Sequence, residues 1–181
     1  MADDNLFQIE LVTPERILLT GSTSEVILRT GEGDVTFLAG HTPLVGTVEP
    51  GVARVALPEG DVVKVAVHGG FVQVEQGVPA EADAAGAGEG PGTSGAPGTR
   101  VTLLAGVAEL AEEIDTERAR VAFERAESRV AELGAAGSRA GGEAEEPDAE
   151  MVDAEAALRR AQVRLEATAT ATAGVTATAA T

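Results

Sequence analysis

The chain is 181 residues long and carries 13 Lys and Arg against 30 Asp and Glu, a formal net charge of −17 at pH 7, with four Phe and no Trp, Tyr or Cys. Nucleic acid is excluded as an expected partner, because phosphate neutralisation needs clustered cations and base stacking needs aromatic rings; the lack of Cys removes disulfides, thiolate zinc sites and thiol catalysis. No apolar run approaches the ~20 residues that span a bilayer, so no direct membrane insertion is expected, and the acidic start Met1-Ala2-Asp3-Asp4-Asn5 is unlike an export leader, which points to the cytoplasm.

From Leu6 to about Glu75 short β runs alternate with turn residues. Among the runs are Phe7 to Val12, Glu25 to Leu28, Val52 to Leu57 and Val62 to Val67. Between them Thr13-Pro14, Glu49-Pro50-Gly51 and Pro58-Glu59-Gly60-Asp61 read as turns, since Pro presets φ and Gly tolerates positive φ. This spacing predicts an antiparallel sandwich or barrel. Residues 79–98 hold six Gly, three Pro and six Ala and no apolar side chain larger than alanine, so they cannot offset their ordering entropy and are expected to form a disordered insertion. Arg100 to Leu104 then reads as a last strand pairing with Gly70 to Glu75, which makes the insertion an enlarged hairpin tip.

After Asp115, an N-cap candidate, Ala119, Ala122, Phe123, Ala126, Val130 and Leu133 recur at helical steps, and Gly134 is expected to end that helix. A second stripe runs through Met151, Ala154, Leu158, Ala161 and Leu165. Two amphipathic helices with one connection predict an antiparallel hairpin. Alanine is the best helix former yet buries little area, so the helices should persist while their docking is weak. The fold expected is thus a β sandwich or barrel over 1–108, a two-helix hairpin over 109–167 with a flexible loop at 134–148, and a disordered Thr/Ala tail over 168–181.

Residues for catalysis cannot be nominated. His41 and His68 lack metal-site spacing, Gly31-Glu32-Gly33 lacks the third glycine and helix of a dinucleotide fingerprint, and no Gly-Lys-Ser/Thr phosphate loop occurs. Glu112 and Glu113 are neighbours about 100° apart on a helix, poorly placed as an acid and base pair, and their negative charge suits a helix N-terminus. The hairpin arginines are more suggestive. Arg118 and Arg125 stand on one face of the first helix, and Arg160 and Arg164 stand four apart on the second, where like charges repel and an anion would relieve them. The competing reading is ordinary surface pairing, as of Arg120 with Glu124 or Arg159 with Glu155.

Glu32-Gly33-Asp34 leading to Gly40-His41-Thr42-Pro43-Leu44, then Pro50-Gly51, Gly69-Gly70-Phe71 and Val101-Thr102-Leu103-Leu104-Ala105, together resemble the ε-subunit family of the F-type ATP synthases, with local departures at Thr36 and Ala39, where the family often has Gly and Pro. The order of elements matches from about Leu6 to Ala167. The resemblance implies a β sandwich of about ten strands followed by a helical hairpin, acting as a non-catalytic central-stalk (rotor) subunit of the proton-translocating synthase. Its implied partners are the γ subunit, the c-ring and, when the hairpin extends to restrain hydrolysis, the α/β catalytic head. Its implied place is the cytoplasmic face of the bacterial plasma membrane, held there peripherally through the complex. Glu32, Gly33, Asp34 and His41 match the family's ring-facing edge.

Several bacterial members bind ATP in the folded hairpin through a motif Ile-Asp-x-x-Arg-Ala. The present chain reads Ile114-Asp115-Thr116-Glu117-Arg118-Ala119. Arg125 falls at the motif's next arginine, Glu109 resembles its upstream acid, and Arg160 and Arg164 match the pair on the second helix. These eight residues, Glu109, Ile114, Asp115, Arg118, Ala119, Arg125, Arg160 and Arg164, are the candidate ATP site. No cofactor is required, and ATP is implied as a regulatory ligand. The alternative is a free cytoplasmic ATP-sensing binding module with the same hairpin.

Overall fold

The computed structural model describes residues 5–78, 98–140 and 148–172. Two compact units divide the chain, Met1–Leu110 and Ala111–Thr181.

The first unit has ten strands: β1 Phe7–Val12, β2 Ile17–Thr23, β3 Glu25–Thr30, β4 Gly33–Phe37, β5 Leu44–Val48, β6 Gly51–Ala56, β7 Val62–Val67, β8 Gly70–Val78, β9 Gly98–Ala105 and β10 Ala108–Leu110. Hydrogen bonding orders them β10-β7-β6-β3-β5-β8-β9-β1-β2, with β4 paired to β3. The end strands β10 and β2 come close, so the sheet nearly closes on itself. β1 and β6 alternate buried and half-buried residues along their length, the period-2 pattern of a sheet with one face in a core. That core includes Phe7, Ile9, Leu11, Val26, Leu28, Phe37, Val55, Val65, Val72, Val101 and Leu103.

The expected pairing of β8 with β9 is present and antiparallel, with Gly70 opposite Ala105 and Val74 opposite Val101. Gly70 permits it. A Cβ there would lie 2.1 Å from the Leu104 carbonyl oxygen, so no other residue fits without moving backbone. β1 and β9 run parallel, Ile9 beside Val101 and Leu11 beside Leu103, and thus the first and ninth strands lie next to each other in the barrel wall.

In the second unit a single 3-10 turn, Ala111–Glu113, precedes helices α1, Thr116–Ala140, and α2, Ala149–Thr172, which pack on each other as a hairpin. Two expected boundaries are corrected. Gly134 does not end α1: it sits under Met151, whose Cε would lie 3.9 Å from an added Cβ, and Ala135 and Ala136, which follow it, favour continued helix. The tail expected to begin at Thr168 is helical through Thr172; Ala167 is fully buried and the Thr168 hydroxyl donates to the Leu165 carbonyl at 2.9 Å, a local bond compatible with helix. Of the insertion, loop and tail expected from the sequence, residues 79–97, 141–147 and 173–181 lie outside the described residues, while Gly98 opens β9.

Candidate functional site: an arginine-lined cavity and two surfaces of the sandwich

Asp115 caps α1. Its Oδ1 accepts from the Arg118 backbone N at 3.0 Å and its carbonyl accepts from the Ala119 N, which satisfies donors that every helix N-terminus leaves open. This cap sets the phase of the helix. It aligns Arg118, Arg125 and Arg129 along a cavity of about 610 Å³ whose other walls include Glu117, Val121, Ala122, Ala126, Ala154 and Ala157. The volume is in the range of small-molecule sites, and three guanidinium groups beside a mostly apolar wall suit a ligand with an anionic part and a flat, uncharged part.

Seven of the eight candidates from the sequence belong to the second unit and one, Glu109, to the first. Arg118 and Arg125 line the cavity together, with Asp115 capping the helix beneath them. Ala119 is buried and Ile114 half-buried, neither among the cavity's lining residues. Arg160 is exposed on α2 and Arg164 half-buried, both outside that lining. Glu109 belongs to β10 in the first unit, opposite Ala66 of β7. Ala122, which the sequence places on the apolar face of α1, is exposed at the cavity.

Arg129 was missed. It lies eleven residues beyond Arg118 and four beyond Arg125, steps that keep it on the same face, so extending the arginine spacing by one turn finds it. Its guanidinium contacts Glu132 at 3.6 Å and bridges the hairpin to Glu150 at 2.5 Å. The surface pairing foreseen for Arg120 also occurs, with Glu117 at 3.7 Å and Glu124 at 4.0 Å.

On the sandwich, Glu32 is exposed in the β3–β4 turn, and Gly33 has φ 118°, a conformation that favours glycine. Asp34 pairs with Arg29 across the two strands at 3.6 Å. His41 lies beyond the opposite end of β4, its Nδ1 2.8 Å from the Thr42 carbonyl and its ring tilted against Phe37 at 4.9 Å. Gln76 donates to the Gly40 and His41 carbonyls at 2.9 Å each, pinning that strap to β8. Four inter-residue steps of strand, ~14 Å, separate Gly33 from Phe37, so the turn and His41 occupy different ends of the strand.

A surface the sequence pattern did not reveal comes from register. Phe71 pairs with Thr47 and Leu104, Leu104 with Val12, and Val12 with Ile17. Paired residues share a face, so these side chains form one row across five strands on the outside of the sheet, apolar from Phe71 to Ile17, with Val12 half-buried and the polar Thr47 at its end. Phe71 is 57% exposed, Leu104 47% and Ile17 58%, with Val45 of the neighbouring row at 72%. A contiguous apolar row of this kind on a sheet's outer face is a feature of protein contact surfaces.

Residues 6–78 match the family model described as ATP synthase, Delta/Epsilon chain, beta-sandwich domain, and residues 112–169 match its long alpha-helix domain. The chain belongs to the ATP synthase delta/epsilon chain family. Curated relatives agree. An ATP synthase epsilon chain of Thermobifida fusca is 40% identical over 142 residues, covering 77% of this chain and 87% of the relative. One from Brevibacillus brevis is 36% identical over 124 residues, covering 68% and 77%. In fold, the chain resembles one from a Euglena gracilis mitochondrial ATP synthase OSCP/F1/c-ring structure, with a TM-score of 0.59 at 22% identity over 88% of this chain and 78% of that one. Among the described residues no helix is long and apolar enough to cross a membrane.

Proposed function

We propose that this member of the delta/epsilon family is the ε subunit of a bacterial F-type ATP synthase, a non-catalytic part of the rotor. The observation that carries the reading beyond family membership is the row in which exposed Phe71, Leu104 and Ile17 are joined through half-buried Val12. Leaving these side chains in water forfeits the gain of burial, and a partner that covers them recovers it. The γ subunit is that partner, docking on the row, while the Glu32-Gly33-Asp34 turn meets the c-ring. His41, at the far end of β4, holds its strap against Phe37 and lies at the margin of these contacts.

The hairpin is the regulatory element. ATP binds in the cavity between α1 and α2 with phosphate oxygens on Arg118 and Arg125, and its affinity for the compact hairpin draws the population toward that state. When ATP is scarce the hairpin extends, reaches the α/β head and restrains hydrolysis. The subunit is held at the cytoplasmic face of the plasma membrane through the complex. A free ATP-sensing module would have the same cavity, but it would have no use for the apolar row, which favours the rotor reading.

Co-purification with the cognate γ and c subunits tests this. The parent chain is expected to be retained, and Phe71→Asp or Leu104→Asp to be lost while remaining folded, since both positions are exposed. Retention of both variants would remove the row as the γ contact, and failure of the parent to co-purify would favour the free module. Calorimetric titration with ATP tests the cavity: binding should weaken at least tenfold in Arg118→Ala and Arg125→Ala, as expected for loss of a charge-assisted contact.

A further inference from the structure

The three cavity arginines are not equivalent. Among the described residues neither Arg118 nor Arg125 forms an ion pair, whereas Arg129 is held by Glu132 on its own helix and by Glu150 from the opposite helix. Glu150 stands at the start of α2, its backbone N accepted by the Asp148 Oδ1 at 3.0 Å, so its carboxylate reaches Arg129 from a fixed point of the hairpin. Arg125 and Arg129 lie one turn apart and would repel each other without a counter-anion.

We infer that Glu150 is a built-in competitor for the anionic part of the ligand: its carboxylate occupies the Arg129 guanidinium, so a polyphosphate chain reaching Arg125 and Arg129 must displace it. This rests on the nucleotide reading of the cavity given above. Glu150 then sets the affinity. A carboxylate and a phosphate oxygen have the same geometry of recognition at a guanidinium fork, so one excludes the other, and the internal anion costs the ligand part of its binding energy. The competition also links the cavity to hairpin geometry. The acid comes from α2 and the base from α1, so an occupied cavity replaces a direct bridge between the helices with one made through the ligand.

The test is calorimetric titration of the full chain with ATP and, separately, with inorganic triphosphate, comparing the parent with Glu150→Gln, Glu150→Ala and an exposed control on the same helix, Glu155→Gln. Removing the Glu150 charge in either variant should tighten binding of both ligands about three- to tenfold, with less effect at high salt, and Glu155→Gln should leave it unchanged. In an Arg129→Ala background the Glu150→Gln gain should vanish, because the two residues form one pair. If the parent binds ATP and neither Glu150 variant tightens it, the competition is refuted while the nucleotide site stands. A gain that survives in Arg129→Ala refutes it as well. If neither the parent nor the Glu150 variants bind ATP or triphosphate, the nucleotide reading itself fails and the competition with it.

Discussion

The sandwich and the hairpin bury side chains of different size. In the first unit Phe37, Ile9, Leu11, Leu28 and Leu103 are almost wholly removed from water, whereas the side chains most deeply buried in the hairpin are Ala119, Ala126, Ala154, Ala161, Val163 and Ala167. Burial stabilises in proportion to apolar area, so the sandwich is held by non-local packing, and the hairpin rests more on helix propensity and caps. The difference suits the roles proposed above, a rotor element in the sandwich and a hairpin whose conformation ATP shifts.

The largest expected effect falls where the sandwich depends on close backbone approach. Gly70→Val would drive a side chain into the Leu104 carbonyl and should destabilise by about 4 kcal/mol or prevent folding, read as the shift of the urea midpoint followed by circular dichroism. Near-normal stability would mean that β8 and β9 can separate without cost. Next, Leu11→Ala should cost about 3 kcal/mol, while Ala161→Gly in the hairpin should cost about 1 kcal/mol, chiefly through helix propensity. Equal losses would overturn the contrast between the two units. Hydrogen exchange sharpens the same point: amides of β1, β8 and β9 are expected to outlast those of α1 and α2.

Asp115→Ala removes the α1 cap and should cost about 1 kcal/mol of helix stability, visible as reduced helical signal on mild heating. The smallest effect is a gain. Gly134→Ala should stabilise α1 by roughly 0.5–1 kcal/mol, since the new methyl meets Met151 at an ordinary 3.9 Å. A loss would show that the helices cannot adjust even at this exposed position.

Much of this was legible in the chain. Alternation in Phe7 to Val12, the Pro and Gly turns, the Asp115 cap and the Arg118–Arg125 spacing are local signals, and local signals survive in one dimension. The sequence misleads at the two helix ends for different reasons: past exposed Gly134 the alanines that follow favour continued helix, and at Thr168 the burial of neighbouring Ala167 overrides a weak local preference. Arg129 and the cavity were partly legible, as a missed step of a regular spacing, but Glu150 on the other helix was not.

The amino-acid sequence by itself determined the order and type of the elements, the turns that join the strands, the cap on α1 and the face of α1 that carries its arginines. Each depends on residues within a turn or two of one another. Tertiary structure alone decided that β1 lies parallel to β9, that Phe71, Leu104, Val12 and Ile17 fall into one row on the outer face, and that Glu150 meets Arg129. These depend on register and packing between segments far apart in the chain, where a shift of one residue would turn a strand's side chains to the opposite face.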